Sequence, residues 1–199
     1  LAEAGIPSLR FDHCGCGESE GQFREQTLNL MLSEAAAAAQ FLRSRADASR
    51  LGLVGLSLGG FNAARLAARD PSAEALALWA PVADMESLIL EANGAPDLET
   101  VVASCPLDHH GNAVGAGLVR SAAGVDAAAE LKGWNGRALV IHGTADETVP
   151  PSHSKAYANA LGDRAKIVLM EDADHTFCSI PGEARVLAET VAFLRESLG

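Results

Sequence analysis

Residues 51–61 read Leu-Gly-Leu-Val-Gly-Leu-Ser-Leu-Gly-Gly-Phe, and this stretch decides the fold. An apolar run of strand length is followed by a serine between two glycines, and then by residues that favour a helix. A serine on so tight a strand-to-helix turn adopts a strained backbone, so its neighbours Gly55 and Gly59 must lack bulk. The pattern predicts that the Ser57 hydroxyl lies clear of a strand end, at the N-terminus of a helix.

The segment Gly55-Leu56-Ser57-Leu58-Gly59 fits the G-x-S-x-G nucleophile pattern. A helix N-terminus favours developing negative charge, so the backbone N–H of Leu58 is a candidate oxyanion donor. The alternative is a glycine-rich turn with an N-capping serine. A phosphate loop is excluded because no G-K-[ST] follows and the glycine spacing is not G-x-G-x-x-G.

Short apolar runs alternate with stretches of helical periodicity along the chain. Such alternation predicts βαβ units, right-handed crossovers and an α/β fold with a mostly parallel sheet. The run at 51–56 has no polar alternation, which is typical of a strand buried on both faces. Strands are predicted at 8–11, 51–56, 75–79, 138–141 and 167–170, and helices at 28–45, 58–69, 152–161 and 183–198.

A serine needs a base and a carboxylate that orients the base. Asp146 follows the predicted strand at 138–141, and His175 follows the predicted strand at 167–170. Loops after parallel strands meet at one edge of a sheet, so the three side chains can converge. We therefore predict that Asp146 holds the imidazole tautomer and that His175 takes the Ser57 proton.

Other acids and bases stay open as alternatives. His142 is expected to support the turn after its strand, and the remaining histidines are expected to be solvated: His109, His110 and His153. Asp174 competes with Asp146 as the acid but is adjacent to His175, and Glu147 and Asp172 are nearby carboxylates. His13-Cys14-Gly15-Cys16 lacks the second cysteine pair of a zinc site, so no metal is predicted. Cys178 is near His175, but no acid or base argument makes it a nucleophile.

The composition is that of a globular chain of ordinary domain size, with 199 residues, 48% hydrophobic and 21% charged. A formal net charge of −11 disfavours nucleic-acid binding. No run approaches 18 apolar residues, so no membrane span is predicted. Four cysteines are too few for a disulfide scaffold, which favours reduced thiols and a cytoplasmic location. The oligomeric state is not predicted.

Residues 84–132 interrupt the strand–helix alternation with many glycines and prolines and weak periodicity. Such a stretch is too long for an ordinary connection. We predict a cap or lid at 84–132, and an α/β core formed by residues 1–83 and 133–199. A floppy surface excursion is the alternative.

These motifs together resemble the α/β-hydrolase fold of serine hydrolases. Residues 11–19, Phe-Asp-His-Cys-Gly-Cys-Gly-Glu-Ser, match its F-D-x-x-G-x-G-x-S segment. The chain is similar to the serine-aminopeptidase-like group that includes cinnamoyl and feruloyl esterases. The resemblance implies earlier strands and a second oxyanion donor, so we expect an N-terminally truncated chain without its first strands.

The resemblance implies hydrolysis of small, medium or aromatic acyl esters through an acyl-enzyme, with Ser57, Asp146 and His175 as catalytic set and no cofactor. The expected partner is a small-molecule ester. A serine peptidase or amidase of the same fold is the enzymatic alternative. The non-enzymatic alternative is a hydrolase-fold module that binds a ligand without catalysis.

Overall fold

The computed structural model describes residues 1–46, 49–109 and 111–199. Its main sheet has four strands, all parallel, in the spatial order β1-β2-β5-β6. A two-stranded antiparallel hairpin, β3-β4, lies in the segment predicted as a cap. The strands are β1 (Leu51–Leu56), β2 (Ala73–Trp79), β3 (Leu107–His109), β4 (Asn112–Val114), β5 (Arg137–Gly143) and β6 (Ala165–Met170).

Helices connect the strands of the main sheet, as the alternating pattern predicts. A further helix precedes β1 and begins after Thr27, whose Oγ1 accepts the N–H of Leu30 at 3.0 Å. The helices are α1 (Leu28–Ala46), α2 (Leu58–Ala67), α3 (Met85–Asn93), α4 (Leu98–Ala103), α5 (Ala116–Ser121), α6 (Ala127–Glu130), α7 (Ser152–Leu161) and α8 (Ile180–Leu198). Single 3₁₀ turns lie at Ala2–Ala4, Phe23–Glu25, Leu131–Gly133 and Gly162–Arg164. No helix in the described residues is both long and apolar enough to cross a membrane.

Four of the five predicted strands are confirmed, each within three residues at either end. The strand predicted at residues 8–11 is wrong. In the described chain these residues form no ladder with a neighbouring strand. A strand is defined by paired backbone groups, and apolar side chains alone do not provide them.

In the described sheet β2, like β5, is buried on both faces, and β1 is not. Ala75 and Ala77 belong to the core cluster that α8 covers, and the alternating Leu76 and Leu78 are 0% exposed on the other face. In β1, by contrast, the side chains of the second half remain open, with Val54 38% exposed. The prediction of full burial for 51–56 is therefore wrong, because in the described sheet β1 has a neighbour on one side only.

The chain divides into two compact units. The first comprises residues 1–8, 39–83 and 127–199 and contains the parallel sheet. Within it, Glu130 of α6 pairs with two arginines of the α2 region, Arg65 at 3.4 Å and Arg69 at 2.6 Å. Residues 127–132 thus belong with the sheet, although the predicted cap included them.

The second unit comprises residues 9–38 and 84–126. Two of its short helices, α3 and α4, begin at capping aspartates: Asp84 accepts the N–H of Ser87, and Asp97 accepts the N–H of Thr100. Elements of six to nine residues show little periodicity in a sequence, which explains why 84–132 reads as irregular. A role for this segment as a cap stays a prediction.

Candidate active site

Ser57 lies on a strained turn between β1 and α2. Its backbone has φ 55° and ψ −121°, a left-handed conformation that is rare for a residue with a side chain. A Cβ added at Gly55 would lie 2.3 Å from the carbonyl oxygen of Gly59, so glycine is required there. A Cβ at Gly59 would meet nothing within 4 Å in the described chain. The expectation that both glycines must lack bulk therefore holds for Gly55 alone.

Leu58 begins α2, so its N–H is one of the amides that have no partner within the helix. The Ser57 carbonyl already accepts the N–H of Phe61 at 3.1 Å, which fixes the direction of the first helical turn. Ser57 itself is half-buried. The serine thus lies at the positive end of the helix dipole, beside an amide that can accept developing charge.

Backbone hydrogen bonds continue past the carboxyl ends of the strands and hold the site loops to the sheet. The Ser57 N–H donates to the carbonyl of Trp79 at 2.9 Å, and the Ala80 N–H donates to the carbonyl of Ile141 at 2.8 Å. The turn that carries Ser57 is therefore linked through β2 to β5, the strand that precedes Asp146.

The loops that carry Asp146 and His175 are joined directly. The Ala145 N–H donates to the Ala173 carbonyl at 3.0 Å, and the Asp172 N–H donates to the Thr144 hydroxyl at 2.9 Å. Gly143 permits this approach, because a Cβ there would lie 2.1 Å from the Ala173 carbonyl oxygen. Two loops separated by almost thirty residues in the sequence are thereby held side by side.

Asp146 and His175 form a hydrogen bond, as the sequence predicts. The His175 Nδ1–H donates to Asp146 Oδ2 at 2.7 Å. The other oxygen, Oδ1, accepts the backbone N–H groups of Thr148 at 2.9 Å and Val149 at 2.8 Å. The Asp146 side chain is 0% exposed and that of His175 is 15% exposed. Since carboxylate oxygens only accept, the proton of a neutral His175 lies on Nδ1 and leaves Nε2 free to act as a base.

Ser57 is not hydrogen-bonded to His175 in the described part of the chain. The structure therefore brings the acid and the base together, and it carries the serine on the same sheet edge.

The alternative acids, Asp174 and Glu147, have different surroundings from Asp146. Asp174 accepts from the N–H groups of Thr176 at 3.0 Å and Cys178 at 3.2 Å, so its carboxylate closes its own turn. Glu147 is exposed.

Cys178 is an exposed thiol held by Asp174, with Sγ 2.5 Å from Oδ2. This hydrogen bond lowers the pKa of the Asp174 carboxyl, and it raises the pKa of the Cys178 thiol above its usual range. Since the thiolate is the nucleophile, the raised pKa agrees with the prediction that Cys178 is not one.

The other histidines lie in different settings. His153 is half-buried, and its Nδ1 accepts the Ala83 N–H at 3.0 Å, so the expectation of a solvated side chain is wrong for it. His109 is exposed, as predicted, and His110 lies outside the described residues. His13 pairs with Glu34 at 2.7 Å. Among residues 1–46, 49–109 and 111–199, no group of three or more His, Cys, Asp or Glu side chains is placed to hold a metal ion.

His142 is the member of the site that sequence reasoning placed only in a supporting role. It is 0% exposed within β5, and its Nε2 lies 3.1 Å from Asp146 Oδ2. Burial lowers the pKa of the His142 imidazole below its ordinary value of 6.5, which keeps the ring neutral. Its position four residues before Asp146 is the one sequence signal that could have pointed to this contact.

Comparison with solved structures identifies the fold of the chain. Est1E from Butyrivibrio proteoclasticus, solved with ferulic acid bound, is 22% identical, with a TM-score of 0.79, over 94% of this chain and 75% of that one. A monoacylglycerol lipase from Paleococcus ferrophilus is 20% identical, with a TM-score of 0.69, over 92% of this chain and 81% of that one. These matches and the parallel sheet confirm the α/β-hydrolase fold.

A puromycin-hydrolyzing peptidase from Mycobacterium tuberculosis is 24% identical, with a TM-score of 0.68, over 89% of this chain. The chain spans only 26% of that peptidase's length. No curated protein matches the sequence. The sequence model of the prolyl oligopeptidase family matches residues 20–199. This match extends over most of the chain, and the chain therefore belongs to the prolyl oligopeptidase family.

Proposed function

We propose that the chain is a serine hydrolase that cleaves carboxylic esters of small, medium or aromatic acyl groups. The observation that carries the proposal is the 2.7 Å hydrogen bond from His175 Nδ1 to the buried Asp146 carboxylate. A carboxylate that is removed from water and bound to one imidazole nitrogen prepares the other nitrogen to act as a base. The strained Ser57 at the start of α2 supplies the hydroxyl.

The reaction follows from these positions. His175 Nε2 takes the Ser57 proton while the serine oxygen attacks the ester carbonyl. The oxyanion that forms accepts the N–H of Leu58 at the positive end of α2. His175 then gives its proton to the leaving alcohol, which leaves an acyl-enzyme on Ser57. A water molecule that loses its proton to His175 releases the acid and restores the serine.

Asp146 has two tasks in this scheme. It keeps the proton of neutral His175 on Nδ1, and it stabilises the imidazolium that exists after each proton transfer. The backbone amides of Thr148 and Val149 fix Oδ1, so the carboxylate does not rotate away from the ring. The scheme requires no cofactor.

Hydrolysis of an amide is the second candidate, because the matching family model is that of prolyl oligopeptidases. The same triad chemistry can cleave either bond. Two comparisons favour ester hydrolysis over amide hydrolysis as the first proposal. Est1E was solved with ferulic acid bound and has a TM-score of 0.79, whereas the puromycin-hydrolyzing peptidase is matched over only 26% of its length.

The test compares two chromogenic substrates with the same protein. We expect p-nitrophenyl butyrate to be hydrolysed, and aminoacyl p-nitroanilides to be hydrolysed far more slowly. Ser57→Ala removes the nucleophile and should abolish turnover of both. Faster release of p-nitroaniline would favour the peptidase, and no turnover of either substrate by a folded protein would favour a binding module.

A further inference from the structure

A buried histidine outside the proposed triad contacts its carboxylate. His142 lies near the end of β5 and its side chain is 0% exposed. Its Nδ1 is 2.6 Å from the hydroxyl of Ser154 in α7, and its Nε2 is 2.8 Å from the carbonyl oxygen of Val149. The same Nε2 lies 3.1 Å from Oδ2 of Asp146. The ring therefore connects the strand, the following loop and the next helix.

These three contacts determine the tautomer of His142. A carbonyl oxygen and a carboxylate oxygen can only accept, so the ring proton lies on Nε2. Nδ1 is then an acceptor, and the Ser154 hydroxyl donates to it. Because burial lowers the pKa of this imidazole, the ring stays neutral and does not compete with His175 for protons near neutral pH.

The Nε2–H of His142 thus donates to the Val149 carbonyl, and Nε2 also lies near the carboxylate oxygen that His175 uses. Asp146 Oδ2 receives His175 Nδ1–H at 2.7 Å and lies 3.1 Å from His142 Nε2, while Oδ1 receives the two backbone amides of the turn. The hydrogen-bond donors to this buried carboxylate are therefore the His175 ring and the two backbone amides, and His142 holds the turn that carries the amides. A buried charge needs such a set, because each missing donor leaves part of its desolvation uncompensated.

From this arrangement we propose that His142 is a positioning residue for the hydrolytic reaction: its Nε2–H donates to the Val149 carbonyl and fixes the turn from Asp146 to Val149, and this turn orients Oδ2 toward His175. The inference rests on the proposed function of the triad. His142 acts through Asp146 and does not touch the substrate. Without its donor, the Val149 carbonyl would lose its partner in a buried place, and the turn whose amides hold Oδ1 would no longer be fixed to β5.

Substitutions of His142 by Asn and Gln distinguish a hydrogen-bonding role of the ring from a role in which it only fills space. Gln can place an N–H where His142 has Nε2, whereas Asn is too short to do so. We expect His142→Asn to lower kcat about tenfold, equal to about 1.4 kcal/mol of transition-state stabilisation, with KM changed less than about twofold. His142→Gln should recover most of that loss. The assay is p-nitrophenyl butyrate hydrolysis, well below the melting temperature of each variant.

Ser154→Ala is the matched control. It removes a buried hydrogen bond from the other nitrogen of the same ring but leaves the Nε2–H in place. We expect it to lower the melting temperature and to keep kcat within about twofold of wild type. Equal kcat values for His142→Asn and His142→Gln, or an equal loss in Ser154→Ala, would overturn the positioning role.

Failure of the proposed function gives a different result, since wild-type protein would then show no turnover at all. If His142→Asn does not fold, the tautomer can be read in the wild-type protein from the ¹⁵N shifts of the His142 ring. A proton on Nε2 supports the proposal. A proton on Nδ1 overturns it, because Nε2 would then have nothing to donate to the Val149 carbonyl.

Discussion

Replacement of Asp146 by Asn is the perturbation whose result the structure specifies most closely. The change keeps the shape of the side chain and removes its charge. The Asn oxygen would stay on the Oδ1 side, where the N–H groups of Thr148 and Val149 donate at 2.9 and 2.8 Å. The NH₂ group would then occupy the Oδ2 position, facing His175 Nδ1, which donates there now, and lying near His142 Nε2.

The size of the loss follows from the tautomer. Facing an NH₂ group, His175 must accept at Nδ1, which moves its proton to Nε2. A protonated Nε2 cannot take the Ser57 proton. A wrong tautomer in a Ser-His-Asp site lowers kcat by about 10⁴-fold, which is about 5.4 kcal/mol in activation free energy. We expect a loss of this order for Asp146→Asn, with the fold retained.

The assay measures kcat for p-nitrophenyl butyrate with Asp146→Asn and with Glu147→Gln. Glu147 is the adjacent, exposed carboxylate, so its loss changes the net charge equally and should leave kcat within about twofold. A folded Asp146→Asn protein with less than about a tenfold loss would refute the assignment of the acid. An equal loss in both variants would refute it as well.

Three further predictions concern stability and pH. Gly55→Ala should destabilise by about 2 kcal/mol in urea because its Cβ meets the Gly59 backbone, whereas Gly59→Ala meets open space and should not; equal midpoints would contradict this. Glu130→Gln should cost about 3 kcal/mol in the same assay, since it leaves Arg65, which is 4% exposed, without its carboxylate; a loss under about 0.5 kcal/mol would contradict this. The pKa of folded His142 lies below 6.5, so as the pH falls below that value the unfolded state binds more protons and stability is lost. His142→Gln should reduce this loss in melting curves taken between about pH 8 and pH 5, and parallel curves for both proteins would contradict the burial argument.

The parallel sheet was predictable because each of its strands is a short apolar run between turn residues. The run at 8–11 looks the same in the sequence, and it is no strand, because pairing depends on a neighbour that a local pattern does not contain. The exposure of the side chains in each strand could not be predicted for a similar reason. Both β1 and β2 are apolar in sequence, but in the described sheet β1 has one neighbouring strand and β2 has two, so β2 is the more buried.

The hydrogen bond between Asp146 and His175 was predictable because both residues follow strands of one parallel sheet. The contact of His142 with Asp146 was not predictable in detail. A histidine inside an apolar strand carries no periodic signal, and its partners come from the following loop and from α7, which only the fold brings against the strand: Asp146, Val149 and Ser154. The short elements of residues 84–126 were missed because helices of six to nine residues scarcely exceed two turns.

Reaction with a fluorophosphonate probe, followed by mass mapping of the modified peptide, tests the central claim most directly. Such probes form a stable bond only with a serine whose proton a base can remove. The account predicts one adduct, on Ser57, which is absent in Ser57→Ala and forms much more slowly in His175→Ala. A folded wild-type protein that takes up no probe, or that takes it up on another residue, would contradict it.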